Sequence, residues 1–163
     1  MGQISCVLFD LGGVLINWQN SWLIESVSKQ FHLSKQKVTD SFEKNLSDYS
    51  KGKLNEIKFW HIIGKDIDSL ELMNITESLY DEICSQKMSV NNQIYELSKK
   101  LKNQGLDIGI ISNTEHSIFT LVKKIMPIDH FDYKFLSYQI GLIKPDSKIF
   151  DHVLTQLDHK KEN

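Results

Sequence analysis

The sequence predicts an α/β fold, a doubly wound parallel sheet with a block of four helices inserted after its first strand. Three observations carry that reading: a short apolar run opens the chain, a long stretch at helical spacing follows it, and strand and helix patterns then alternate. A continuous apolar run bounded by turn residues reads as a strand buried on both faces, the situation of a parallel sheet flanked by helices.

The first strand is residues 4–10, rich in β-branched and aromatic side chains and closed by Gly12 and Gly13. Over residues 20–86 the apolar positions recur at helical spacing. Trp22, Leu23, Val27 and Phe31 share one face, then Val38, Phe42 and Leu46 another, with Ser34 as the N-cap between them. Residues 48–53 break the pattern, after which Ile57, Trp60 and Ile63 mark a third helix and Leu70, Met73, Leu79 and Ile83 a fourth. Trp18, Trp22 and Trp60 belong to the interior of this block or face its substrate side.

Residues 90–104 form an amphipathic helix that turns Ile94, Leu97 and Leu101 inward and stops at Gly105, the position just past a helix end that glycine favours. A second strand, 106–111, runs into Ser112-Asn113-Thr114. A helix at 117–126 is ended by Pro127, a third strand spans 133–137, and a last helix at 147–157 follows Pro145 with Ile149, Phe150, Val153 and Leu157 on one face. Right-handed crossovers then wind the helices over both sides of the sheet. Residues 1–17 and 88–163 make the α/β core, and 18–87 the helical insert.

A chain of 163 residues suits one core with one insert. All 19 basic residues are Lys, spread without a stripe, and the formal net charge is −2, so nucleic acid is excluded as a partner. The absence of Arg leaves Lys and backbone N–H groups to bind phosphate. Cys6 and Cys84 lie far apart in apolar contexts and read as reduced thiols, which places the protein in the cytoplasm. No apolar run approaches the roughly 20 residues that span a bilayer, and the six His lack the paired spacing of a zinc site.

In a parallel sheet ligands bind beyond the carboxyl ends of the strands. The residues delivered there are Asp10 with its two glycines, Ser112-Asn113, and Lys144 before Pro145. Each alone has a plain structural reading as a turn cap, a helix cap or a solvated Lys. Together they make a phosphoryl-transfer site: an Asp carboxylate attacks phosphorus to give an acyl phosphate that water hydrolyses. Glycine N–H groups and the Ser hydroxyl approach the phosphate oxygens, while Lys144 offsets the negative charge and a Mg2+ beside Asp10 completes the site. Glu115 and His116 follow the second segment and lie near the site, or Glu115 caps the next helix.

The segments Phe9-Asp10-Leu11-Gly12-Gly13-Val14-Leu15, Ile111-Ser112-Asn113-Thr114 and Gly141-Leu142-Ile143-Lys144-Pro145-Asp146 resemble three ordered motifs of the haloacid dehalogenase-like (HAD) hydrolases. Tyr49-Ser50-Lys51-Gly52-Lys53 followed by Phe59-Trp60 is similar to the inserted cap of that family's phosphatase subgroup. The resemblance implies a Rossmann-like core with a helical cap, and hydrolysis of a small phosphorylated metabolite through an aspartyl-phosphate. It assigns Asp10 as nucleophile and Lys144 as charge stabiliser, with Gly12, Gly13, Ser112 and Asn113 on the substrate. Asp10 and the Gly12 carbonyl would ligate Mg2+. Haloacid dehalogenation ranks lower.

Two features depart from the family pattern. Gly12 stands where most of these phosphatases carry a second Asp as general acid and base, help typically worth on the order of 10²–10⁴-fold. The family also continues into a fourth strand with paired acidic residues that neighbours the first strand, whereas residues 158–163 are polar and lack a strand pattern. The expectation is a C-terminally truncated chain with an incomplete sheet, whose exposed first-strand edge invites a homodimer. A catalytically silent remnant or binding protein is the competing reading.

Overall fold

The computed structural model describes residues 4–161, with side chains through residue 157. Its elements in chain order are β1 (Cys6–Phe9), β2 (Ile16–Asn17), α1 (Asn20–Gln30), α2 (Lys35–Ser50), α3 (Glu56–Asp66), α4 (Leu70–Met73), α5 (Leu79–Lys87) and β3 (Ser89–Val90). They continue with α6 (Asn92–Asn103), β4 (Asp107–Ser112), α7 (His116–Ile125), a 3-10 turn (Ile128–His130), β5 (Tyr133–Leu136), α8 (Ser137–Ile140) and α9 (Ser147–Lys161).

Strands β1, β4 and β5 form a parallel sheet in the order β1-β4-β5. Side chains alternate across it with the period of two that a strand imposes. Phe9, Ile108, Ile110 and Leu136 face a core shared with α6, α7 and the helical block, while Ile111, Tyr133 and Phe135 pack with Ile149 and Val153 of α9 on the other face. Helices therefore cover both faces, as in a doubly wound α/β fold. Phe9 stands opposite Ile110, and Ser112 opposite Leu136, so the carboxyl ends of all three strands emerge along one edge.

Burial on both faces holds for the middle strand and less for the first. β4 is buried from Ile108 to Ser112, whereas Cys6, Val7 and Leu8 are only half-buried, because among the described residues β1 pairs with β4 alone. β1 also begins two residues later than the apolar run, leaving Ile4 exposed.

The stretch between β2 and β3 holds five helices rather than four. The fourth predicted helix is interrupted after Met73, and α4 and α5 each start on their own serine, Ser69 accepting from Leu72 N–H and Ser78 from Asp81 N–H. Inside the block Tyr49 stacks on Phe59 at 4.3 Å and Phe42 meets the same ring edge-on, with Trp60 fully buried beside them. A two-stranded antiparallel ribbon, β2 with β3, closes the base of the block, pairing Ile16 with Val90 and Asn17 with Ser89.

Two helix faces each lose one expected residue, while Ile94 and Leu101 of α6 and Ile149, Val153 and Leu157 of α9 pack inward as read. Leu97 is 44% exposed, and α6 buries Tyr95 and Ser98 instead. Phe150 is also 44% exposed, because α9 turns Ile149 and Val153 to the sheet.

Candidate active site

Asp10 is the first residue beyond β1, and the turn after it is built by the backbone. Gly13 adopts φ +76°, the left-handed region that glycine enters without steric cost, and its N–H donates to Ile16 O at 2.8 Å. Ile16 N–H returns to Leu11 O at 2.9 Å. The Gly13 N–H, expected on phosphate, thus serves the turn that holds Asp10 at the strand end.

The Asp10 carboxylate is gripped at both oxygens. Leu11 N–H donates to Oδ1 at 2.8 Å and Lys144 Nζ lies 2.8 Å from Oδ2. Nζ also donates to Ile111 O at 3.1 Å, tying Lys144 to the end of β4. The Asp10 side chain is 40% exposed and that of Lys144 23%, so the pair stays open to a ligand. Ser112 is buried at the end of β4, with its hydroxyl 3.4 Å from Asn113 O. Asn113 lies against Lys144: its Nδ2 donates to Lys144 O at 2.8 Å and its Oδ1 accepts from Lys144 N–H at 2.7 Å. The structure thus brings Asp10, Ser112, Asn113 and Lys144 together at the carboxyl edge of the sheet. The Asn113–Lys144 link spans 31 residues, and no local pattern announces it.

Beside this pair lies a cavity of about 450 Å3, walled by Leu11, Gly12, Ser112 and Asn113 on the sheet side and by Leu46 and Ser50 of α2 on the other. Trp18 lines it, while Trp60 is interior to the helical block. Glu115 occupies the N-cap position of α7 but makes no side-chain cap hydrogen bond. Glu115 is 6% exposed and lines the cavity, and Ser50 Oγ donates to its Oε1 at 2.5 Å. Burial pushes Glu115 up to about 7, against smaller opposing effects of the Ser50 hydrogen bond and of a hydrogen bond from the Glu115 backbone itself. Thr114 is buried beside it, and its Oγ1 has no hydrogen-bond partner.

A second polar link fastens α2 to the sheet. Ser137 Oγ lies 2.6 Å from Ser50 O and 3.0 Å from Thr114 O, and accepts from Thr114 N–H at 2.9 Å. Nearby, Gly52 has φ +73° and packs so closely that a Cβ there would overlap the Tyr138 carbonyl. Neither Ser50 nor Ser137 carries a sequence signal, since serines are common and their partners lie 65 and 87 residues away.

The oxygen donors Asp10 and the Gly12 carbonyl are of the hard type that Mg2+ selects, and Mg2+ commonly uses one or two carboxylates with waters and substrate phosphate. Among the described residues no group of three His, Cys, Asp or Glu converges on a common point. No described helix is long and apolar enough to cross a membrane.

Residues 7–163 match the family model of the haloacid dehalogenase-like hydrolases. The chain belongs to that family. It is 29% identical over 132 residues to an uncharacterized protein of Saccharomyces cerevisiae, covering 74% of this chain and 43% of the yeast protein. It is also 26% identical over 152 residues to the sesquiterpene phosphatase astK of Aspergillus oryzae, covering 93% of this chain and 73% of that one. The chain thus spans less than half of one curated relative and nearly three quarters of the other. Among solved structures, a HAD family enzyme from Bacteroides thetaiotaomicron superposes with a TM-score of 0.79 at 23% identity, over 96% of this chain and 80% of that one. The same enzyme in complex with magnesium and inorganic phosphate gives a TM-score of 0.76. The HAD fold and the parallel sheet read from the sequence are therefore both present.

Proposed function

We propose that this HAD-family chain hydrolyses the phosphomonoester of a small metabolite through an aspartyl-phosphate on Asp10. The observation that carries the reading is the Asp10–Lys144 pair, 2.8 Å apart at the carboxyl edge of the sheet and beside a cavity of about 450 Å3. An Asp10 oxygen attacks phosphorus, the P–O bond to the alcohol breaks, and the alcohol leaves with a proton from solvent. Water then attacks the acyl phosphate, releasing inorganic phosphate and restoring the carboxylate.

Lys144 places its positive charge where the transferring phosphoryl group gathers negative charge. Ser112 and Asn113 border the phosphate position, and Asn113 also fixes the Lys144 backbone. Asp10 and the Gly12 carbonyl would hold a Mg2+, whose chemistry is neutralisation of the phosphate oxygens. The helical block would act as the cap that walls the leaving-group cavity. The sesquiterpene phosphatase relative and the magnesium and phosphate complex of the Bacteroides enzyme support this reading.

A second reading, phosphoester binding without turnover, is favoured by Gly12, which carries no group able to transfer a proton. Mg2+-dependent hydrolysis of 4-nitrophenyl phosphate, run beside Asp10→Asn, decides between them. Turnover that Asp10→Asn abolishes supports the hydrolase, and equal rates for the two proteins overturn it.

A further inference from the structure

The cavity beside Asp10 does not end at the helical block but continues along α2. Its α2 wall is Glu43, Leu46, Ser47 and Ser50. A second hollow of about 320 Å3 between α1 and α2 shares Asn20, Glu43 and Leu46 with it and carries on through Phe42 and Thr39 to Lys35. The two hollows therefore follow one another along the same helix as a single groove, and from Ser50 to Thr39 that helix rises about 16 Å.

Most polar groups bordering the groove are already bonded within the protein. Trp18 Nε1 donates to Asn20 Oδ1 at 3.2 Å, Ser50 Oγ donates to the Glu115 carboxyl, and Thr39 Oγ1 donates to Lys35 O at 2.8 Å. Glu43 and Lys35 are exposed, so their charged ends reach water at the rim. The remaining wall is apolar: Trp18, Ile118 and Ile143 in the inner part, Leu46 in the middle, Ile24 and Phe42 in the outer part. Leu46 and Ile143 are only half-buried, which leaves hydrocarbon surface without a protein partner on the path away from Asp10.

We propose that the groove along α2 binds the aliphatic chain of a long-chain alcohol phosphomonoester, with the phosphate at Asp10 and the chain running past Leu46 toward Thr39. This rests on the phosphohydrolase reading above and narrows the leaving group to one class. An alkyl or alkenyl chain asks for no hydrogen bond from the wall, and it removes the open flanks of Leu46 and Ile143 from water. A sugar or polyol brings hydroxyls that give up water for a wall whose polar groups are already engaged, which costs binding.

The test is calorimetry on the Asp10→Asn protein with Mg2+, which holds an ester without turnover, using butyl phosphate and decyl phosphate below its aggregation concentration. A methylene in an open groove is shielded over about half its surface and gains about twofold, so decyl phosphate is expected to bind about 60-fold more tightly than butyl phosphate, one to one. Inorganic phosphate is expected to displace it, since both need the Asp10 site. Thr39→Trp sets a large ring into the outer groove from a half-buried position, and Leu46→Ser removes the middle of its floor. Each is expected to cut the decyl-to-butyl ratio to about tenfold or less.

Equal affinities for the two esters, failure of both to bind, decyl binding that inorganic phosphate leaves untouched, or a ratio unchanged by both substitutions would each overturn the groove. The ratio in the unplugged protein is measurable whether or not either variant folds. Hydrolysis of 4-nitrophenyl phosphate judges the parent reading separately. Asp10-dependent hydrolysis without the chain-length preference removes the groove alone, and the preference without hydrolysis removes the hydrolase reading alone.

Discussion

Asn113 and Lys144 hold each other through two short hydrogen bonds, the Asn113 amide donating to Lys144 O at 2.8 Å and accepting from Lys144 N–H at 2.7 Å. The pairing fixes the backbone from which the Lys144 side chain reaches Asp10, so the loop after β4 sets the position of a charge carried by the loop before α9. Asn113 is thus a positioning residue for Lys144 whatever it also does for phosphate.

Asn113→Ala removes both bonds and releases the Lys144 loop. The expected result is a fall in kcat approaching 10²-fold on 4-nitrophenyl phosphate with a smaller change in KM, since misplacement of a charge by about 1 Å can cost that much. Asn113→Asp keeps the acceptor for Lys144 N–H and loses the donor to Lys144 O, and should fall between wild type and Asn113→Ala. Steady-state kinetics on the three proteins checks the order.

Lys144→Met separates catalysis from stability. The ion pair with Asp10 is partly exposed, and such pairs contribute about 1 kcal/mol or less to folding. Turnover should nevertheless drop by about 10²–10³-fold, because the lost charge faces the transferring phosphoryl group. Urea denaturation and initial rates, measured on the same preparation, read the two effects apart.

Glu115 gives stability a particular dependence on pH. Its ordinary value of 4.5 applies to the unfolded chain, and in the fold burial raises it to about 7. Between those values the folded form holds a proton that the unfolded form has released, so the native state loses ground as pH rises from about 4.5 to 7, by an amount on the order of 3 kcal/mol, and the effect levels off above. Glu115→Gln should flatten this part of the profile, which denaturant titrations at several pH values would show.

Thr114→Val replaces a buried hydroxyl that has no partner by a methyl of the same shape. Stability is expected to rise by about 1 kcal/mol. A thermal melt against wild type measures it.

Gly52→Ala should be costly beyond its size. The backbone there is left-handed at φ +73°, and the added methyl overlaps the Tyr138 carbonyl, so a loss of about 2 kcal/mol or more is expected from both effects together. Chemical denaturation against wild type gives the figure.

The sequence made the strand ends legible because turn chemistry and apolar runs are local: Asp10 and Lys144 meet beside the end of the strand that delivers Ser112. Leu97 and Phe150 are exposed because periodicity alone leaves the width of the buried stripe open: packing took Ser98 beside the expected Ile94 and Leu101 on α6, and on α9 it kept the expected Ile149 and Val153 without Phe150. The single-turn α4 and the two-residue ribbon of β2 and β3 are too short to leave a periodic signal. Glu115 could be read as a helix cap from its position. Only the fold shows that its carboxyl makes no cap hydrogen bond and accepts instead from Ser50, 65 residues earlier.

The ribbon that pairs Ile16 with Val90 and Asn17 with Ser89 brings the chain entering the helical block and the chain leaving it side by side. The covalent path into and out of the block thus runs through one narrow doorway, whatever length of polypeptide lies behind it. A block of different helices, grafted between Asn17 and Ser89, would keep that doorway but would have to replace the bonds that Ser50 and Tyr49 make to Glu115, Ser137 and Ser117. The helical wall of the cavity and the strand ends that form its other wall therefore change together through a handful of serine and tyrosine contacts.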